Sequence, residues 1–163
     1  MGEPFVTENA AEFRGALPDG GVLVGLDLGT RTIGTAFCDA AWRFAGPGKT
    51  LPRGKYARDL AALRELAAQR GVKGVVLGLP LNMDGSGGPR AQASRAFARN
   101  LAQENGGLGL PVLLWDERWS TASAERAMID QDMSRAKRAT RIDSHAAAVI
   151  LQAAIDRLAG GIL

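Results

Sequence analysis

The chain has 163 residues, 46% of them hydrophobic, which suits one domain with a proper core. Twenty Lys and Arg against 17 Asp and Glu leave a net charge of +3, too mild to demonstrate a nucleic-acid partner and permissive of one. A single cysteine, Cys38, excludes an internal disulfide framework. The longest apolar runs, such as residues 75–81, fall far short of the roughly 18–20 residues that span a bilayer. With Glu3 and Glu8 near the start and no basic segment before an apolar run, the N-terminus is unlike a secretory signal, so a soluble, cytoplasmic protein is expected.

Residues 1–20 read as an extension, with Thr7 capping a helical turn that Pro18, Asp19, Gly20 and Gly21 break. Residues 22–26 then form an apolar strand that stops on Asp27, and residues 33–38 return as its hairpin partner, with Gly29 available for a positive φ in the turn. An ionised carboxylate at the rim of a buried strand costs several kcal/mol unless a cation or hydrogen bonds meet it, about which the turn itself is ambiguous: Asp-x-Gly is also an ordinary turn. Residues 42–51 suggest a third strand, interrupted by Gly46, Pro47 and Gly48.

Residues 56–70 carry Leu60, Leu63, Leu66 and Ala67 at helical spacing, with Gly71 where a helix stops. Val75, Val76 and Leu77 make the next strand, followed by the glycine-rich loop GLPLNMDGSGGPR and a helix over 90–103. That loop lacks the Gly-Lys-Ser/Thr of a nucleotide P-loop. Residues 111–115 are a further buried strand ending in Asp116 and Glu117, and Ser120 is placed to open a helix through Ala124, Ala127 and Met128. Trp119, beside a strand end, is expected in the core. The run MSRAKRATR, 133–141, is basic without any acid and reads as a mobile loop; the last helix is expected over 142–158.

This order predicts an α/β fold with a mixed, five-stranded sheet flanked by helices. The strands ending at Asp27, Leu79 and Trp115 run parallel, so Asp27 and the pair Asp116/Glu117 gather at one sheet edge, where open α/β sheets bind ligands. Strand alternation turns only one of the pair toward Asp27, and Glu117 is the choice. Asp143, at the start of the last helix, is the third acid; taken alone, it fits a helix-dipole role as well. Three converging carboxylates would share Mg²⁺ or Mn²⁺ and suit the hydrolysis of a phosphodiester. Arg31, Asn82, Arg118, Arg135, Lys137, Arg138 and Arg141 are the candidate substrate contacts. His145, the only histidine, has no companion for a zinc site.

Four motifs, GLDLGTRTIGTAFCD, VVLGLPLNMDGSGG, DERWSTASA and IDSHAAAVIL, together resemble the YqgF family of RNase H-like nucleases over about residues 22–155. The resemblance implies an RNase H-like domain over 21–163 and an endonuclease that matures the precursor of small-subunit ribosomal RNA. It also implies an acidic site at Asp27, Glu117 and Asp143. An older assignment for that family is a Holliday junction resolvase acting on branched DNA. The expected partner is therefore nucleic acid, structured RNA first and branched DNA second, with no membrane as a partner and the protein a monomer or homodimer. A phosphate-cradling GLDLGT turn also occurs in actin-like ATPases and sugar kinases, which need a second domain, and a non-catalytic binding module would gain nothing from the carboxylates.

Overall fold

The computed structural model describes residues 4–120 and 135–160, with the side chains of the second segment described from Ser144 onward. In chain order the elements are β1 (Val6–Thr7), α1 (Ala10–Gly15), β2 (Leu23–Leu28), β3 (Thr32–Cys38), β4 (Ala45–Pro52), α2 (Tyr56–Arg70), β5 (Gly74–Leu79), α3 (Pro89–Ala102), β6 (Val112–Asp116), a 3-10 turn (Glu117–Trp119) and α4 (Arg135–Gly160).

The strands form one sheet in the order β1-β6-β5-β2-β3-β4. β2, β5, β6 and β1 are parallel, and β3 runs antiparallel to both β2 and β4. Six strands stand where five were expected. The extra one, β1, is two residues long and pairs Val6 with Val112 and Thr7 with Leu113. A pairing between residues more than a hundred positions apart leaves no local pattern to read. Thr7 therefore lies in a strand, and Asn9 caps α1 instead, accepting from the Glu12 amide at 3.0 Å.

Each central strand is buried on both faces, which is why its residues are apolar apart from Asp27 near the end of β2 and Asp116 at the end of β6. Leu26, Leu77 and Leu114 face Leu60, Leu63, Phe97 and Leu101 of α2 and α3. Leu23, Val76, Leu113 and Trp115 face Phe13 of α1 and Ile150, Leu151, Ile155 and Leu158 of α4. Gly25 lets α4 lie directly on β2: a Cβ there would sit 2.7 Å from Leu151 Cβ and 3.0 Å from the Ala147 carbonyl oxygen. The Gln152 amide fixes α4 to the β3–β4 hairpin, accepting from Ala45 N at 2.8 Å and donating to Arg43 O at 3.0 Å. Arg14 Nη1 donates to Leu158 O at 2.8 Å and ties α1 to the far end of the same helix.

Further expectations are corrected. The basic run read as a loop is helical from Arg135, because Arg, Lys and Ala are good helix formers and polarity alone does not break a helix. Trp119 is 63% exposed rather than core, since the 3-10 turn takes the chain off the strand and Trp115 already fills the core position. Gly29 is not among the glycines with positive φ; the β2–β3 turn closes with Gly29 N–H donating to Thr32 O. Cys38 is buried in β3 as a small core residue. The helix expected after Ser120 lies outside the described residues.

Candidate acidic site at the sheet edge

Asp27 is the fifth residue of β2 and is 2% exposed. It lies on the α4 face with Leu23 and Gly25, opposite Gly34 of β3. On its other side the β2–β5 register pairs Leu26 with Leu77, which brings Gly78 level with Asp27. Gly78 is in turn opposite Trp115 of β6. Glu117, buried at 6% exposure, lies over Gly78: a Cβ on that glycine would be 3.3 Å from Glu117 Cδ and 3.4 Å from its Cγ. The missing side chain at Gly78 thus makes the space that the end of Glu117 fills, one strand over from Asp27.

The third acid is placed by backbone register. Thr50 of β4 is opposite Gly34, which is opposite Asp27, so the three positions form a row across the sheet. Thr50 Oγ1 and Ser144 Oγ share a hydrogen bond, which sets the start of the described part of α4 level with that row. Asp143 immediately precedes Ser144, one turn before Ala147, at the carboxyl edge of the parallel strands. Its side chain lies outside the described residues, as do those of Arg135, Lys137, Arg138 and Arg141. Among the described residues no group of three metal-ligating side chains is complete. Asp27 and Glu117 are two buried oxygen donors on one face, a set that suits a hard divalent cation and not zinc.

Asp116 takes the opposite role. Its Oδ1 accepts from the Arg118 amide at 2.9 Å and caps the 3-10 turn, while the Arg118 guanidinium forks onto both carboxylate oxygens, at 2.6 Å from Nη2 and 3.1 Å from Nε. The same guanidinium donates to Met83 O at 3.3 Å and so ties the glycine-rich loop to the acidic edge. The side-chain bond from Arg118 holds the Asp116 carboxyl below the usual carboxylate range, and the carboxylate raises Arg118 in return. Arg118, singled out as a substrate contact, is thus engaged within the protein. Asn82 is engaged too, its amide nitrogen donating to Ser86 Oγ at 2.9 Å within the loop that Leu81 and Gly87 close. Arg31 is exposed in the β2–β3 turn, beyond Asp27. His145 is half-buried on α4.

Arg118→Met is expected to lower stability near neutral pH, because Asp116 remains buried and loses its strongest donors. A lowered folded-state pKa gives stability that is complete above the ordinary value of about 4 and is lost as the pH falls toward the folded value. Thermal melts of the two proteins should therefore converge below about pH 4. A gap that stays constant into acid would show that the fork contributes nothing.

Gly78 is the site residue that sequence reasoning missed; its signal was a glycine inside an apolar strand run, VVLGL, which marks a close approach.

The chain is similar to proteins already known. A protein from Novosphingobium aromaticivorans is 64% identical over 156 residues, covering 96% of this chain and 98% of the relative. One from Sphingopyxis alaskensis is 63% identical, covering 94% and 99%. Both bear the name "Putative pre-16S rRNA nuclease". Among solved structures, Thermus thermophilus RuvC in complex with a Holliday junction substrate superposes with a TM-score of 0.52 at 16% identity, covering 86% of this chain and 96% of that one, a likeness of fold. The model of the RuvX family, described as Holliday junction resolvase, matches residues 21–157, and the chain belongs to that family.

Proposed function

We propose that this protein is a metal-dependent endonuclease that hydrolyses phosphodiester bonds of structured RNA, at the end of the small-subunit ribosomal RNA precursor, in the cytoplasm. The nuclease domain is 21–163, with residues 1–20 as an extension of it. The observation that supports the reading is the gap at Gly78, the residue level with Asp27 at the carboxyl ends of parallel strands, over which the end of Glu117 lies. Buried neighbouring carboxylates are costly to a fold and are retained where they hold a cation. The name borne by relatives more than 60% identical over nearly the whole chain supports the RNA substrate.

Asp27, Glu117 and Asp143 would hold Mg²⁺ or Mn²⁺. When bound, the metal supplies activation of the attacking water and stabilises the leaving oxygen. Rigid strands fix the position of Asp27, and the 3-10 turn, held by the Asp116–Arg118 fork, fixes Glu117. The first turns of α4 carry Arg135, Lys137, Arg138 and Arg141 in sequence on the same helix as Asp143, residue types that would neutralise substrate phosphates.

The family description favours branched DNA as the second reading. A labelled panel of ribosomal RNA precursor, single-stranded RNA, four-way DNA junction and linear duplex, incubated with Mg²⁺, Mn²⁺ or EDTA, separates the two. Metal-dependent cutting of the precursor is expected. Selective cutting of the junction would transfer the assignment to a resolvase, and binding without cutting under every metal would make the protein a binding module.

A further inference from the structure

A cavity of 670 Å³ opens between α1, α4 and the 3-10 turn, lined by Glu8, Asn9, Ala11, Trp115, Trp119 and Arg157 among others. That volume is within the roughly 300–1,000 Å³ of small-molecule sites. Trp119 stands at its wall 63% exposed, two residues after Glu117, with its ring edge-to-face on Trp115 at 5.7 Å and 86°. Trp115 is 6% exposed, and among the described residues its buried Nε1–H has no hydrogen-bond acceptor. That nitrogen is closed off from solvent, so what Trp115 offers the cavity is ring surface and not a donor. Arg157 is exposed and makes no ion pair among the described residues, whereas Glu8 is already engaged by Arg95 at 2.9 Å.

We propose that this cavity takes one unpaired nucleobase of the substrate RNA, stacked on Trp119, with Arg157 on the adjoining phosphate. An open indole face at the wall of a cavity of base size and an exposed cation at its rim are the two features such a nucleotide needs. Bases inside a duplex are already stacked and cannot enter a concave site. One wall is α1, which precedes the residues matched by the family model, so the N-terminal segment takes part in recognition. The identity of the strand as substrate rests on the nuclease reading; the stacking does not.

The test uses intrinsic fluorescence of the full chain carrying Asp27→Asn, so that binding is read without chemistry. Of the three tryptophans, Trp42 and Trp115 are each 6% exposed, so quenching by a stacked base reports Trp119. A single-stranded RNA oligonucleotide should quench the emission, and the same sequence as a duplex should not. Trp119→Ala should weaken binding of the single strand about tenfold, and Trp119→Phe should abolish the quench while keeping part of the affinity. Ala11→Leu, at an exposed position of α1, should weaken binding by narrowing the cavity, and Arg157→Ala should reduce its salt dependence. Equal quenching by duplex, or unchanged affinity in both Trp119→Ala and Ala11→Leu, would overturn the proposal. If the wild type cuts RNA and Trp119→Ala cuts and binds it equally well, this inference fails and the nuclease reading stands. If nothing is cut and the quench persists, the reverse holds.

Discussion

Asp27→Asn is expected to reduce cleavage by about 10²–10³-fold or more and to abolish the stabilising response to Mg²⁺. Asp27 and Glu117 are 2% and 6% exposed on the same sheet face, and Glu117 lies over Gly78, the residue level with Asp27. Asparagine keeps the shape and one oxygen while removing a charge, so a site for a hard cation would lose a ligand with little change in packing. Wild-type protein should therefore gain thermal stability on titration with Mg²⁺, as any ligand that binds only the folded state requires. Asp27→Asn should respond little. Melting curves with and without Mg²⁺, beside single-turnover cleavage, check both halves. Retained cleavage in the variant would remove Asp27 from the mechanism, and an unchanged Mg²⁺ response would remove it from the metal site.

The acids were legible because a charge at the end of an apolar run is a local signal, and parallel topology then brings separate strand ends to one edge. Strand alternation chose Glu117 over Asp116, and Glu117 does lie over Gly78, the residue level with Asp27, although by another physical route. Asp116 is the last strand residue and is used up as the cap of a 3-10 turn and the partner of Arg118. Glu117 reaches the α4 face from within that turn. The same turn explains the misreading of Trp119, because extrapolating a strand's alternation past its end carries no information about a residue in a turn. The helical start of α4 was hidden by composition: a basic run without acids reads as solvated, yet its Arg, Lys and Ala all favour helix. β1 was hidden by its length, two residues whose only reason to be extended is a neighbour more than a hundred positions away. Position-specific packing, such as the gap at Gly78, needs the third dimension because its partners Glu117 and Ile150 come from other elements.

Two glycine-to-alanine substitutions should have separable consequences, since the new methyl group meets different kinds of obstacle. At Gly25 the Cβ would lie 2.7 Å from Leu151 Cβ and 3.0 Å from the Ala147 carbonyl oxygen, neither of which can rotate away. Helix α4 must move as a body, so Gly25→Ala is expected to cost about 1–3 kcal/mol by overpacking. Because Asp143 lies on that helix one turn before Ala147, cleavage should fall together with stability. At Gly78 the closest atom is the flexible end of Ile150, Cδ1 at 2.8 Å, and the next is Glu117 Cδ at 3.3 Å. Gly78→Ala should therefore leave stability within about 1 kcal/mol of wild type, the lower end of overpacking costs, while displacing Glu117 and lowering the cleavage rate at saturating substrate. Adding Ile150→Val removes the first clash and leaves the second, so the double variant should melt like wild type and still cleave slowly. Denaturant melts and single-turnover rates on the four proteins decide the matter. Wild-type cleavage in Gly78→Ala would mean that the position of Glu117 does not limit the reaction, and the metal would then have to be held by Asp27 and Asp143 without it.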